Sequence, residues 1–312
     1  MSDLLLPVSW GFAGIGRIRR ALKHATKVSV PVLCVGNLVA GGAGKTPVVL
    51  SLAQLLRAAG HRPHILSRGY GGTATGPLRV DPAIHKSTEV GDEPLLLAAA
   101  APTWVGSDRV ASAKTAIAAG ADILLLDDGF QNPSLHQDVA VLVVDGDYGL
   151  GNGRVIPAGP LREPVEQGLA RAQAIVVMGH NRTFVAPEGK TVLKARLVPC
   201  DAAPLKGKKV VAFACIGMPQ KFFATLKEAG AVLVGEYRYP DHHPFRDAEL
   251  ATMARDAADK NAKLLTTEKD FVRLDPRWRQ KIAALKVEIQ WEDRSAVEAL
   301  LQRAIGASRH GA

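Results

Sequence analysis

Cysteine and aromatic side chains are scarce in this chain. The three cysteines, Cys34, Cys200 and Cys215, are far apart among 312 residues and form no C-x-x-C pair. That spacing gives no basis for a zinc site or a disulfide framework and suits a reducing compartment. Aromatics make up 5%, Lys and Arg are dispersed, and no RNA- or DNA-binding motif is present, which argues against a nucleic-acid partner. No apolar run is long enough to cross a bilayer, and there is no internal repeat or low-complexity tract. What is present is ordinary in bulk: 47% hydrophobic and 22% charged, enough apolar material for one large or two ordinary domains. The charge balance is less ordinary. A net charge of +9 suits an anionic membrane surface or a phosphorylated substrate.

The first apolar segment, LLLPVSWGFAGIGRIRRALKH, is too short for a membrane span and is interrupted by Pro7. It does not read as a signal peptide either, because its basic cluster follows the apolar run. Wound as a helix, Leu4, Val8, Phe12, Ile15, Ile18 and Leu22 share one face, with Arg17, Arg20 and His24 opposite. Arg19 intrudes near the apolar face, and Gly11, Gly14 and Gly16 weaken the helix. Two readings stand at this point: a helix lying in an anionic membrane surface, or a helix packed on the domain.

Beyond this segment, strands and helices alternate. SVPVLCVGN, RPHILS, TWVGS, ADILLLDDG, VAVLVVDG and AQAIVVMG read as strands, and 47–59 and 108–119 as helices. Apolar strands alternating with helices predict a mostly parallel sheet covered on both faces. The cycle restarts at LKGKKVVAFACIG, with further strands at AVLVGEYRY, KLLTT and VEIQW and helices at 220–229, 247–259 and 295–305. The expected organisation is an N-terminal helix (1–25), a P-loop NTPase-like α/β core (26–205) and a smaller α/β domain (206–312). A cleft between the two domains is the natural place for a site.

VGNLVAGGAGKTP joins a strand to a helix through a glycine-rich turn ending in Lys-Thr. The G-x-x-x-x-G-K-[ST] pattern is met except at its first position, where Val39 replaces glycine. Residues Val39, Ala40, Gly41, Gly42, Ala43, Gly44, Lys45 and Thr46 would cradle the phosphates of ATP with backbone N–H groups at a helix N-terminus. Lys45 would reach the β- and γ-phosphates, and Thr46 would ligate Mg²⁺. LLLDDGFQ places Asp127 and Asp128 at the carboxyl end of a strand, where a Walker-B acid holds the metal. At least one of the pair is expected in that role, and Asp127 is the more strand-like. Two other stretches are ambiguous alone. In EVGDEP, Asp92 or Glu93 reads as the cap of a helix beginning at Pro94. In PDHHPF, Asp241, His242 and His243 read as a surface turn.

Together these pieces resemble the tetraacyldisaccharide 4'-kinases of lipid A biosynthesis. GNLVAGGAGKTP, SRGYGG, VGDEP, DDGFQ, PAGPLREP, DHHPF and TTEKD occur in that family's order between residues 36 and 270. The resemblance implies a Mg-ATP-dependent kinase that phosphorylates the 4'-hydroxyl of tetraacyldisaccharide 1-phosphate to give lipid IV-A. It implies a peripheral enzyme on the cytoplasmic face of the inner membrane. It also implies a catalytic pair, here Asp92 and His242, with His242 preferred to His243. Asn37, Arg68, Tyr70, Arg162 and Arg171 are the expected substrate contacts, the arginines because their fork binds phosphate bidentately. A monomer is expected. The competing class is a P-loop NTPase switch or metallochaperone acting on a protein partner. It leaves SRGYGG, GPLREP and DHHPF unexplained, and the N-K-x-D motif of guanine-specific members is absent.

Overall fold

The structure is a computed structural model and describes residues 3–181 and 183–307. Helix α1 (Leu6–Leu22) precedes β1 (Val32–Gly36), α2 (Lys45–Ala58), β2 (Pro63–Ser67) and the short β3 (Leu78–Arg79). Then come α3 (Ser87–Val90), α4 (Asp92–Leu97), β4 (Thr103–Val105), α5 (Arg109–Ala118), β5 (Ile123–Asp127) and β6 (Val139–Asp145). Helix α6 (Val165–Arg171), β7 (Ala174–Met178) and β8 (Thr191–Pro199) complete the first run. The second run is β9 (Lys209–Ala214), α7 (Pro219–Glu228), β10 (Val232–Arg238), α8 (Asp247–Asp259), β11 (Lys263–Thr267), α9 (Glu268–Phe271), α10 (Pro276–Arg279) and β12 (Ala283–Leu285). Strand β13 (Val287–Trp291) and helix α11 (Arg294–Ala307) follow.

The large sheet has the order β13-β8-β7-β6-β1-β5-β2-β4-β3 among the described residues. It is parallel except for its two edges, where β13 runs antiparallel to β8 and β3 antiparallel to β4. The central strands are buried along their whole length, which is why they read as continuous Val/Ile/Leu runs. Side chains alternate between two cores. Leu33 and Val35 of β1 join Val48, Leu52 and Leu56 of α2 on one face. Val32 and Cys34 join Ala113 and Ala116 of α5 on the other. Each large side chain fully buried this way contributes about 1.5–3 kcal/mol. From β1 the chain crosses over to β2 and β4, returns to β5 beside β1, and then passes over β1 to β6, β7 and β8 on the other side. The carboxyl ends of β1, β5 and β6 therefore border the crevice where such sheets bind ligands.

The second sheet, β10-β9-β11-β12, is parallel throughout. Its extent differs from the expected 206–312. Strand β13 pairs with β8 in the large sheet, with Val287 opposite Pro199. Val297, Leu300, Leu301 and Ala304 of α11 pack in the α2-side core of that sheet. The small domain is thus an insertion between two adjacent strands. The reason is the apolar stripe of α11, which needs the open face beside α2. Strand β8 was not anticipated from sequence, although its Leu193 and Ala195 alternate with exposed Lys194 and Arg196.

Candidate active site

The phosphate loop leaves β1 at Gly36 and enters α2 at Lys45. Gly44 has φ 84°, a left-handed conformation that glycine adopts without strain at this helix entry. Asn37, fully buried, braces the loop. Its Nδ2 donates to the carbonyls of Val39 (2.6 Å) and Gly41 (3.2 Å), and its Oδ1 accepts from Lys45 Nζ (3.1 Å). Asn37 was expected among the substrate contacts; it is turned inward and shapes the loop instead. The GPLREP segment buttresses the same loop. Ala40 N–H donates to Pro160 O (2.8 Å), and Arg162 N–H donates to Leu38 O (2.7 Å). A cavity of about 280 Å³ opens beside Val39–Ala43, between the end of β6 and Gly217–Met218 of the small domain.

The two acids after β5 have different surroundings. Asp128, at φ 53°, accepts from Arg162 Nη1 through both oxygens at 2.9 Å and is 3.7 Å from Lys45 Nζ. Asp127 is 1% exposed, and neither of its oxygens has a hydrogen-bond partner among the described residues. Burial, then the like charges of Glu93 and Asp128, push its pKa up to about 8 against the pull of Lys45 and Arg109. A buried carboxylate without a partner is costly unless a cation meets it. Among the described residues no three His, Cys, Asp or Glu side chains gather into a metal cage. That donor set suits Mg²⁺, which takes one or two protein oxygens together with substrate phosphates.

A second cluster is built from three loops. Asp92 does not cap a helix that starts at Pro94. It is the first residue of α4, after Gly91, and makes no capping bond. Gly91 is required here: its φ is 89°, and a Cβ would lie 2.6 Å from Tyr70 O. This close approach packs the SRGYGG loop on the VGDEP loop. The turn before α8 brings His242 to the same place, with its Nδ1 3.0 Å from Asp92 Oδ2. When Asp92 is ionised, that bond requires the proton on Nδ1. The ring of exposed Tyr70 lies 5.7 Å from the His242 ring. His243 points elsewhere: it bonds Glu249 at 3.0 Å and stacks on Tyr239 at 4.8 Å. Of the two histidines, His242 is thus the one beside Asp92.

The remaining expected contacts divide. Arg68 is exposed in its loop and makes no hydrogen bond or ion pair among the described residues. Arg162 serves Asp128, as above. Arg171 is committed inside the protein. Its fork binds the buried Glu163 carboxylate at 2.8 and 2.9 Å, and its guanidinium covers the Phe130 ring at 4.5 Å. Glu163 also accepts from Gln131 Nε2 (3.1 Å) and lies 3.4 Å from Arg20 of α1. Arg171 is therefore a strut rather than a free phosphate grip.

Other residues complete the site: Arg109 and Lys221, which the sequence did not single out, and Glu268, Lys269 and Asp270 of TTEKD. Arg109 is buried and donates to Ser67 O (2.7 Å) and Gly106 O (2.6 Å), holding the strand end that leads into SRGYGG. Lys221 of α7 reaches across to Asp145 at the end of β6 (2.6 Å). Lys269 joins Glu93 (3.4 Å) to Asp241 (3.5 Å). Burial works against its ammonium, but Glu93, Asp241 and Asp92 together outweigh it and hold its pKa above the ordinary value. Glu268 accepts from Val287 N–H (3.1 Å), and Asp270 accepts from Cys215 N–H (2.9 Å) and Thr267 Oγ1 (2.8 Å). TTEKD thus supports the cleft.

Helix α1 is docked by few groups. Ser9 Oγ donates to Val155 O (2.8 Å) and accepts from Ala158 N–H (3.0 Å), and Arg20 Nη2 donates to Gln167 (3.0 Å). The apolar face points outward: Leu4 is 83% exposed, Val8 58%, Ile15 69% and Leu22 77%. Of the two readings of this segment, packing of the apolar face on the domain is not what is found.

A phosphate-cradling loop, an unpartnered acid on the neighbouring strand and a carboxylate–imidazole pair assembled from two domains are the parts of a P-loop kinase, with a donor side and an acceptor side. Residues 1–306 match the family model for tetraacyldisaccharide-1-P 4'-kinase. The chain is 53% identical to the tetraacyldisaccharide 4'-kinase of Rhodospirillum centenum, across 100% of this chain and 94% of that protein. It is 50% identical to that of Paramagnetospirillum magneticum, across 97% and 95%. The crystal structure of LpxK from Aquifex aeolicus in complex with ATP matches with a TM-score of 0.78 at 30% identity, covering 97% of this chain and 99% of that one. The chain belongs to the tetraacyldisaccharide 4'-kinase family.

Proposed function

We propose that this protein transfers the γ-phosphate of ATP to the 4'-hydroxyl of tetraacyldisaccharide 1-phosphate, forming lipid IV-A. The observation that carries the acceptor side is the 3.0 Å bond between Asp92 and His242, from two different domains. Phosphoryl transfer to an alcohol needs a group that takes the hydroxyl proton and holds the oxygen in line. Asp92 has that role, and His242 orients its carboxylate. On the donor side, N–H groups of Gly41–Thr46 cradle the phosphates, and Lys45 is released from Asn37 to meet the β- and γ-oxygens. Asp127 and Thr46 are the protein groups that would hold Mg²⁺. What a bound Mg²⁺ supplies is charge neutralisation at the β- and γ-phosphate oxygens. Asp128 with Arg162 fixes the rim of the loop. Arg68 and Tyr70, exposed beside the pair, are the residues left to grip the disaccharide phosphate.

No described helix is long and apolar enough to cross a membrane. The outward apolar face of α1 lies in the cytoplasmic surface of the inner membrane, so the site meets a substrate whose acyl chains stay in the bilayer. The test uses purified protein, γ-labelled ATP, Mg²⁺ and tetraacyldisaccharide 1-phosphate in detergent micelles. Label is expected on the lipid and is expected to be lost in Asp92→Asn with ATP binding intact. Free phosphate without labelled lipid would refute the reading.

A further inference from the structure

Arg273 lies one turn beyond TTEKD, outside every motif of the chain. Its side chain is 8% exposed, yet it contacts five different groups. Nε lies 3.5 Å from Asp92 Oδ2. Nη1 is 3.3 Å from Asp270 Oδ1 and 3.4 Å from Cys215 Sγ. Nη2 donates to the carbonyl of His243. The guanidinium also lies over the Phe245 ring at 5.4 Å. One cation thus touches the carboxylate from the large domain and the backbone just after the histidine from the small one. Its own position is fixed from beneath, because Asp270 is fully buried and also holds the Cys215 N–H and the Thr267 hydroxyl. His242 needs such support, since φ 61° is an unusual conformation for a residue with a side chain.

We propose that Arg273 is a positioning residue for phosphoryl transfer: its guanidinium sets the Asp92 carboxylate and the His242 turn in one register when the small domain docks. The inference rests on the kinase reading above. A planar fork can serve both Asp92 and the His243 carbonyl at once; a single ammonium cannot. Around the pair, the other charged or titratable groups are Glu93 on α4, Asp241 in the turn, Lys269 on α9 and the Tyr70 phenol. Lys269 is engaged with Glu93 and Asp241, so it does not replace Arg273.

The experiment measures kcat and KM of the lipid kinase reaction for Arg273→Ala, Arg273→Lys and Asp92→Asn in the full chain. Arg273→Ala is expected to lower kcat roughly 10- to 100-fold, within the range of proton-transfer contributions, with KM for ATP little changed. Added methylguanidinium should restore part of the rate. Arg273→Lys should also lose rate, since it keeps charge without the fork. Should Arg273→Ala fail to fold, Arg273→Lys decides alone: wild-type kcat would overturn the inference, and a lowered kcat with KM for ATP little changed would sustain it. A folded Arg273→Ala with wild-type kcat, or with a loss that methylguanidinium does not reduce, would also overturn it. The parallel variant separates the two levels, because an active Asp92→Asn enzyme refutes the acceptor assignment itself.

Discussion

Replacing Glu163 by alanine perturbs the point where the phosphate loop, α6 and α1 meet. The carboxylate is 1% exposed, accepts a fork from Arg171, faces Arg20 and accepts from Gln131, whose amide also holds the Asn37 carbonyl. Removing one partner of a fully buried ion pair costs about 3–5 kcal/mol. Here the arginines are not fully buried: Arg20 is 22% exposed and Arg171 34%. Water takes over part of their charge, and Arg171 keeps the Phe130 ring and the Gln167 carbonyl. The expected loss is therefore lower, about 2–3 kcal/mol. Glu163→Gln keeps one acceptor and should lose about half as much, ~1–1.5 kcal/mol. Urea unfolding followed by tryptophan fluorescence, to which Trp104 and Trp291 of the large domain contribute, measures the difference. Trypsin cleavage at Arg17 and Arg19 should rise in parallel as Arg20 loses its anchor. A stability change below about 0.5 kcal/mol, the range of an ordinary surface substitution, would refute the idea that this junction is structural.

Ile15→Glu on the outer face of α1 should weaken binding to vesicles containing anionic lipid at least about tenfold, since it removes roughly 2 kcal/mol of apolar burial and adds repulsion. Unchanged co-sedimentation would argue against the in-plane helix. Asp127 predicts a pH dependence in magnesium-free buffer. Burial, then Glu93 and Asp128, raise its folded pKa to about 8, so the folded chain keeps a proton that the unfolded chain releases near pH 4. Stability should then fall as pH rises from about 4 to 8, by up to ~1.4 kcal/mol per unit from this group. Asp127→Asn should flatten that fall and abolish stabilisation by Mg-ATP over ATP alone; an unaltered slope would be the contrary result.

Much of the fold, including the glycine-rich loop between β1 and α2, was legible because the signals are local. Strand, glycine turn, Lys-Thr and helix are contiguous from Val32 to Ala58, and each part predicts the next. The pairing of Asp92 with His242 was visible only through the resemblance, because they are 150 residues apart and each looks like turn chemistry alone. Arginine roles were the least legible. Residue type says that a fork binds an anion, but not whether the anion is a substrate phosphate or, as for Arg171, the buried Glu163. Asn37 misled for a similar reason: its amide satisfies the loop's own carbonyls. The affiliation of β13 was hidden because strand pairing is a property of two distant segments. The pattern VEIQW is equally suited to either sheet.

The insertion of the small domain has a consequence for how the chain comes into being. Strands β8 and β13 are neighbours, Cys200 N–H donates to Lys286 O (3.0 Å), and the apolar stripe of α11 closes the core over α2. A ribosome delivering this chain from its N-terminus has released every other strand of the large sheet long before β13 emerges. Until then the outer edge of β8 has no partner, and the α2-side core lacks Val297, Leu300, Leu301 and Ala304 of α11. The inserted domain, whose own sheet is complete by Leu285, can therefore fold before the domain that carries it is finished. The nascent core waits with an open seam for β13 and α11, and in that interval it is most exposed to strand-pairing errors and chaperone capture.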